Sequence, residues 1–317
     1  MIFEKAKADT VNMKYLTRLS LEDWNLWAGK FQDRLINSTV KGQPRTSQRG
    51  RHRSFDELEA LFATLLWARF NIPMELLGNL WNKDKRTASE WVHFVIPVLD
   101  GYFSLHPEIS WPPDKEMEEY VDKFKQMGLY DPKFGPIAAA VDGFEVKIPR
   151  PGEKELRETH WSVKKHQFSA NVLLLVLLTG EIIYMSEASE SHSDQHIWNE
   201  LDIRAKFIGK KFGVISDSVS DLEFSAKQRI WGVESPGGGP NSENRDLWFR
   251  AARLRAIVEN VISDLRNWQI FSTKFRNAIS SNGKVDFDFL NQCLRVFSNL
   301  LNYRLKKNPK RGVDGSH

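Results

Sequence analysis

The sequence predicts an α/β core, preceded by an all-α region and closed by two long helices. Three observations carry this. Between positions 137 and 186 lie three runs rich in β-branched and aliphatic residues, IAAAVDGFEVKI, SANVLLLVLL and EIIYMS, with a fourth, KFGVISD, beyond a helical stretch. Ahead of them, apolar residues recur at the three-and-four spacing of helices and not at the two-residue period of half-buried strands. After position 245 the helical spacing returns in two stretches, Asp246 to Ile270 and Asp286 to Leu305.

Residues 1–53 form an N-terminal helical segment, centred on Thr17 to Arg34, and a basic arm, KGQPRTSQRGRHR, from Lys41 to Arg53. With five Lys/Arg and no acid, the arm fits a solvated linker or a segment that tracks phosphates. Residues 54–130 predict a helix-turn-helix region. Ser54 is a candidate N-cap with Glu57 three positions on, and Phe55, Leu58, Leu61, Phe62, Leu65 and Leu66 make an amphipathic stripe. A turn at Asn71-Ile72-Pro73, a short helix MELLGNLW and the opening Asn82-Lys83-Asp84 lead into a third helix. Lys85, Arg86, Thr87 and Ser89 at its start are side chains a recognition helix presents to a major groove, although a plain bundle with a polar helix start has the same spacing. Pro97, Pro107, Pro112 and Pro113 mark the exit, and one charged helix, Asp114 to Met127, follows.

The core occupies residues 131–305. The seven-residue apolar run Val172 to Leu178 predicts a strand buried on both faces. Ser193 to Phe207 is helical, and SPGGGPNS, from Ser235 to Ser242, is a loop. The tail, residues 306–317 with Arg304 just before it, concentrates Lys306, Lys307, Lys310 and Arg311. Beyond the last helix it is expected to be exposed, as a solubilising tail, a phosphate contact or a nuclear import signal.

Composition narrows the classes. The 317 residues carry 45 Lys+Arg against 41 Asp+Glu, a net charge of +4, with 41% hydrophobic residues, as in an ordinary globular protein. One cysteine, Cys293, excludes a disulfide framework or a multi-cysteine zinc site. The polar start reads as no secretory signal, so an intracellular place is expected: the nucleus if the source is eukaryotic, otherwise the cytoplasm. The longest apolar run is far below the roughly 20 residues of a membrane span, and no membrane partner is expected.

Three acids stand out by position. Asp142 lies within an apolar strand, where an ionised group needs a reason to be. Asp217 ends the strand GVISD, and strand ends of α/β sheets are where ligands bind. Glu259 borders the stripe of Leu254, Ile257, Val258, Val261, Ile262 and Leu265, with Arg255 and Arg266 on its own helix face. Each has an ordinary reading: a turn residue, a helix cap and an exposed partner of Arg255. Together they make a hard-oxygen cluster suited to two Mg²⁺ or Mn²⁺ ions about 4 Å apart, an arrangement that serves in-line attack on a phosphodiester.

VDGFEVKIPRPGEKEL, WSVKKHQFSANVLLLVLLTGEIIYMS, SHSDQHIWNEL, GVISDS and FRAARLRAIVENVISDLRNWQIF resemble, in that order, the DDE endonuclease domain of PIF/Harbinger-type transposases. The resemblance covers about Asp131 to Leu305, and the region from Ser54 to Tyr102 is similar to that family's helix-turn-helix. It implies an RNase H-like DDE transposase/integrase core and metal-dependent cutting and joining of DNA at transposon ends. Asp142, Asp217 and Glu259 would be the catalytic, metal-binding triad, at separations of 75 and 42 residues. Asp194 matches an additional acid, Lys164 and Lys165 a lysine pair in the loop after the first strand that fits either phosphate contacts or a solvated hairpin edge, and Arg253 and Arg255 the basic residues before the glutamate. Ser218-Val219-Ser220-Asp221 stands where the family has Gly-Tyr, and Val261-Ile262-Ser263-Asp264 replaces a Phe-Gly pair and a more basic run. The implied partners are double-stranded DNA, a separate DNA-binding partner protein and a second copy in a homodimer. The alternative is a transposase-derived, non-catalytic DNA-binding or partner-binding protein. Most of the eleven Trp, such as Trp67, Trp81 and Trp91, are expected in the core. For Trp161 packing is expected as well, with stacking on a displaced base as the alternative.

Overall fold

The computed structural model describes residues 2–38, 56–128, 136–190, 194–200, 203–207, 210–216, 230–232, 245–279 and 284–310. The basic arm, Ser54, Asp217 with the residues after it, the loop from Ser235 to Ser242 and Arg311 lie outside these. The chain divides into two compact units. The first comprises Met1–Pro107, Arg266–Lys274 and Gln292–Phe297; the second comprises Glu108–Leu265, Phe275–Asn291 and Ser298–His317.

The first unit is helical among its described residues: α1 (Ile2–Lys7), α2 (Thr10–Thr17), α3 (Leu21–Asn37), α4 (Glu57–Phe70), α5 (Met74–Asn79) and α6 (Lys85–Leu105). Aromatic rings fill its centre. Phe3, Trp24 and Phe62 meet in mutual ring contacts, as do Trp27, Phe31 and Phe103. Trp67, Trp81 and Trp91 are all buried, as expected. Three local expectations need correction. The cap of α4 is Asp56, whose carboxylate accepts from the N–H groups of Leu58 and Glu59. Nor is α4 amphipathic: every residue from Ala60 to Ala68 is buried, because Ala60, Ala63, Thr64 and Ala68 let neighbours approach the side opposite the large residues. Pro97 does not end a helix either but lies inside α6. The missing N–H there costs about 3 kcal/mol, offset by burial of Val95, Ile96, Val98, Leu99 and Phe103 around it.

Gly78 allows α5 and the start of α6 to meet. A Cβ there would lie 2.6 Å from the Lys83 carbonyl oxygen and 2.7 Å from that of Asp84. Asp84 in turn caps α6 by accepting from the Thr87 N–H at 2.7 Å, which holds its carboxyl below the usual range.

The second unit is built on a mixed sheet. Its elements are α7 (Asp114–Gln126), β1 (Ile137–Lys147), α8 (Lys154–Thr159), β2 (Trp161–Ser162), β3 (Gln167–Leu177), β4 (Ile182–Met185), α9 (Asp194–Glu200), a 3₁₀ turn (Ile203–Lys206), β5 (Gly213–Ser216), β6 (Ile230–Gly232) and α10 (Arg245–Arg266). Beyond it come α11 (Gln269–Ser272), within the first unit, and α12 (Asp288–Lys307), which supplies residues to both. The main strands run β4-β3-β1-β5-β6, with β1 antiparallel to β3, β3 antiparallel to β4, and β1, β5 and β6 parallel. The four expected strands are present, and β3 is buried from Ser169 to Leu177. α8 and β2 lie where the sequence predicts a loop, and β6 where it predicts no element. They are short, and α8 buries none of its residues, so periodicity had nothing to register.

Asparagines of α12 satisfy the polar edge of this sheet. Asn302 Oδ1 accepts from the Ile182 N–H at 2.7 Å, while its Nδ2 donates to the carbonyls of Ile182 and Glu108. Asn299 accepts from the N–H groups of Glu108 and Ile109, and Asn291 from that of Ala188. Substituting Asn302 by Ala should therefore cost about 2–4 kcal/mol in denaturant unfolding, since buried backbone groups lose their partners. Gly78→Ala should lower the melting temperature. Gly29→Ala, in open space on α3, should leave it unchanged or raised.

Candidate functional site

Asp142 stands on β1, opposite Leu174 of β3. It is half-buried, and its Oδ1 accepts from the Gly143 N–H at 2.9 Å. Ala140, two residues before it, pairs with Ile215 of the parallel strand β5. Asp217 follows the last residue of β5 and lies outside the described residues. Glu259 is exposed on α10, whose Leu254, Ile257, Val258, Val261, Ile262 and Leu265 are all buried as the stripe predicts. Its carboxylate lies 3.5 Å from the Arg255 guanidinium, an i,i+4 pair worth a few tenths of a kcal/mol. Among the described residues no three His, Cys, Asp or Glu side chains are grouped to hold a metal ion. The donor chemistry nonetheless fits a hard cation: Asp142 offers carboxylate oxygen on a strand whose neighbours Val141 and Phe144 are buried, where cations would relieve the charge.

The other expected residues fall into four places. Lys85, Arg86, Thr87 and Ser89 occupy the first turn and a half of α6, where Arg86 pairs with Glu90 at 2.9 Å. Lys164 and Lys165 are exposed in the turn between β2 and β3. Arg253 and Arg255 lie on α10 and Arg266 ends it, while Asp194 begins α9 with its side chain outside the described residues.

The basic tail is exposed from Lys306 to Lys310, as expected, yet several of its cations are paired within the protein. Arg304, Lys306 and Lys307 belong to α12, and Asp264 accepts from Arg304 at 3.0 Å and Lys310 at 2.7 Å. Lys306 pairs with Glu108, and the Lys310 N–H donates to the Thr179 carbonyl. A Cβ at Gly180 would come within 2.9 Å of Lys310 Cγ, so the turn after β3 is shaped to receive this segment. The charges of Arg304 and Lys310 are thus matched locally to Asp264, one of the residues by which the chain departs from the resembled family.

Sequence reading missed Glu145. It lies three residues beyond Asp142 on β1 and accepts from Ser162 Oγ at 3.0 Å and Ser169 Oγ at 2.9 Å. Both serines are buried. Ser162 Oγ also accepts from the Lys165 N–H, so one carboxylate holds β2, the turn with the lysine pair, and β3. An acid between Phe144 and Val146 in an apolar strand was the available signal. Also missed was a groove of about 420 Å³ lined by Arg150, Lys154, Arg157, Glu158, Trp161 and Phe168. Trp161 neither packs fully nor stands free: it is 40% exposed and meets Phe168 edge-on, with ring centroids 5.1 Å apart.

A mixed sheet with a carboxylate on its central strand, a parallel neighbour and several helices makes this an α/β domain, and in open α/β sheets ligands bind outside the carboxyl ends of the strands. The family model of the DDE superfamily endonucleases matches residues 141–302, just over half of the chain, and the chain belongs to that family. Membership suggests nuclease or transposase activity on DNA, typically with divalent metal ions. No curated protein and no solved structure matches the chain. No helix among the described residues is long and apolar enough to cross a membrane.

Substituting Glu145 by Ala leaves two buried hydroxyls without their acceptor. Amide hydrogen exchange across Trp161 to Phe168 should then speed up, with a loss of stability of about 1–3 kcal/mol. Glu145→Gln should recover part of both.

Proposed function

We propose that the chain is a metal-dependent DNA endonuclease of transposase type, close to the PIF/Harbinger group, with an RNase H-like core. The observation that carries the reading is the register of β1 against β5: Ala140, two residues before Asp142, pairs with Ile215, two residues before Asp217. The strand order supports it too, because three antiparallel strands followed by two parallel ones bring the middle of β1 beside the end of β5. The matched span, 141–302, includes all three acids.

Asp142, Asp217 and Glu259 would hold two Mg²⁺ or Mn²⁺ ions, with Asp194 as an additional acid. The ions would supply Lewis-acid activation of a water or a 3′-hydroxyl and stabilise the leaving oxygen. The chain's own residues bind and orient DNA. Lys164 and Lys165 offer ammonium groups from a turn anchored by Ser162, and Arg253, Arg255 and Arg266 offer guanidinium groups from α10. Residues 54–130 are proposed as a helix-turn-helix, with Lys85, Arg86, Thr87 and Ser89 meeting the duplex. The exposure of Arg86, 86% of its side chain, and the tight α5–α6 approach at Gly78 support this. Nuclear localisation in a eukaryotic source, a separate DNA-binding partner protein and homodimer formation belong to the same proposal.

Nicking of short duplexes should require Mg²⁺ or Mn²⁺ and stop with EDTA. Asp142→Asn, Asp217→Asn and Glu259→Gln should each lower it by about a hundredfold or more. Equal nicking by the wild type and Asp142→Asn sinks the assignment. Salt-dependent duplex binding without metal-dependent cleavage in the wild type points to the non-catalytic alternative.

A further inference from the structure

We propose that the groove between α8 and the β2–β3 hairpin is a site for one unpaired nucleotide of a DNA strand, the base lying against Trp161 and its phosphates against Arg150, Lys154 and Arg157. The size is right: about 420 Å³ falls within the roughly 300–1,000 Å³ of small-ligand sites. Its chemistry has two halves. Trp161 and Phe168, paired in register across β2 and β3, make an aromatic wall with Trp161 40% exposed. Arg150, Lys154 and Arg157 make a basic wall.

Among the described residues little competes for these cations. Lys154 meets Glu158 at 3.8 Å, with both side chains more than two-thirds exposed, a pair of negligible strength. Arg157 is anchored through Nε to the Glu153 carbonyl at 3.3 Å, which holds the guanidinium at the end of α8. From Arg150 to Lys165 the chain carries five Lys/Arg against three Glu.

The aromatic wall decides between possible anions. A carboxylate-rich peptide would use the cations and leave Trp161 idle, and a base inside a duplex has both faces stacked. An unpaired nucleotide brings a free π-face and a phosphate together, which is the combination this groove presents. The Ile148 N–H donates to the Phe168 carbonyl, six residues along β1 from Asp142. At about 3.3 Å per residue the groove lies roughly 20 Å from the carboxylate, so it would take a nucleotide flanking the cut and not the scissile phosphate.

The inference rests on the DNA reading, but binding in EDTA tests it without cleavage. The full-length protein is titrated against fluorescently labelled oligothymidylate and against a blunt duplex. Trp161→Ala should weaken oligothymidylate binding by about tenfold, with Trp161→Phe retaining affinity to within about threefold. Arg157→Ala should also weaken it, and Trp161→Ala should leave duplex affinity within about twofold of the wild type. Wild-type affinity for oligothymidylate in Trp161→Ala, or a parallel loss on both probes, overturns the proposal, as does equally effective displacement by polyglutamate. A wild-type protein that binds the duplex but not oligothymidylate overturns this site alone; one that binds neither overturns the DNA reading as well.

Discussion

The second unit depends on the placement of charge in a strand that has almost no room for it. β1 lies between β3 and β5, and Ile137 to Val141 are buried without a break, so along this stretch side chains on both of its faces meet protein. A carboxylate in such a strand carries a desolvation cost of several kcal/mol unless donors or cations surround it. The two acids of β1 meet this cost differently. Glu145 receives two serine hydroxyls from β2 and β3 and becomes a structural clasp. Asp142 receives the Gly143 N–H, and its neighbour Gly143 is followed across the strand pair by the wholly apolar stretch Leu173 to Leu175.

Polar satisfaction at the other edge of the sheet comes from side chains and not from another strand. β4 pairs with β3 on one side, and Asn302 takes the place of a further strand at Ile182 by both accepting and donating. Because Asn302 and Asn299 also hold the chain at Glu108 and Ile109, one helical face fixes two separate backbone segments. In the first unit the middle of α12 does comparable work: Arg295 grips the buried Asp100 of α6 with two hydrogen bonds, at 2.7 and 2.9 Å. Charge and amide pairs of this kind contribute specificity of register beyond their modest net energy.

How much of this was legible in the sequence follows from what periodicity records. The long apolar stripes of α10 and α12 and the seven-residue run in β3 were readable because burial over many residues repeats one signal. The buried helix α4 was read as amphipathic because Ala60, Ala63 and Ala68 are small enough to be buried on any face, and alanine carries little pattern. Pro97 was read as a boundary because propensity is local, whereas the burial that keeps α6 intact is tertiary. Asp142 and Glu259 were visible as acids set beside apolar stripes, but the part of Glu145 was not. Its partners Ser162 and Ser169 are 17 and 24 positions away, and only strand pairing brings them to it.

The departures from the resembled family also take on physical sense. Asp264 stands where the resembled family has a more basic run, and it is only 15% exposed where Arg304 and Lys310 reach it. An acid there neutralises two cations, holds Lys310 over Gly180 and so ties the end of α12 to the turn between β3 and β4. Basic charge in the second unit thus lies in at least two places. At the end of α12 Arg304, Lys306 and Lys310 pair with acids within the protein, and at the hairpin Lys164 and Lys165 stand exposed on a turn braced by Glu145.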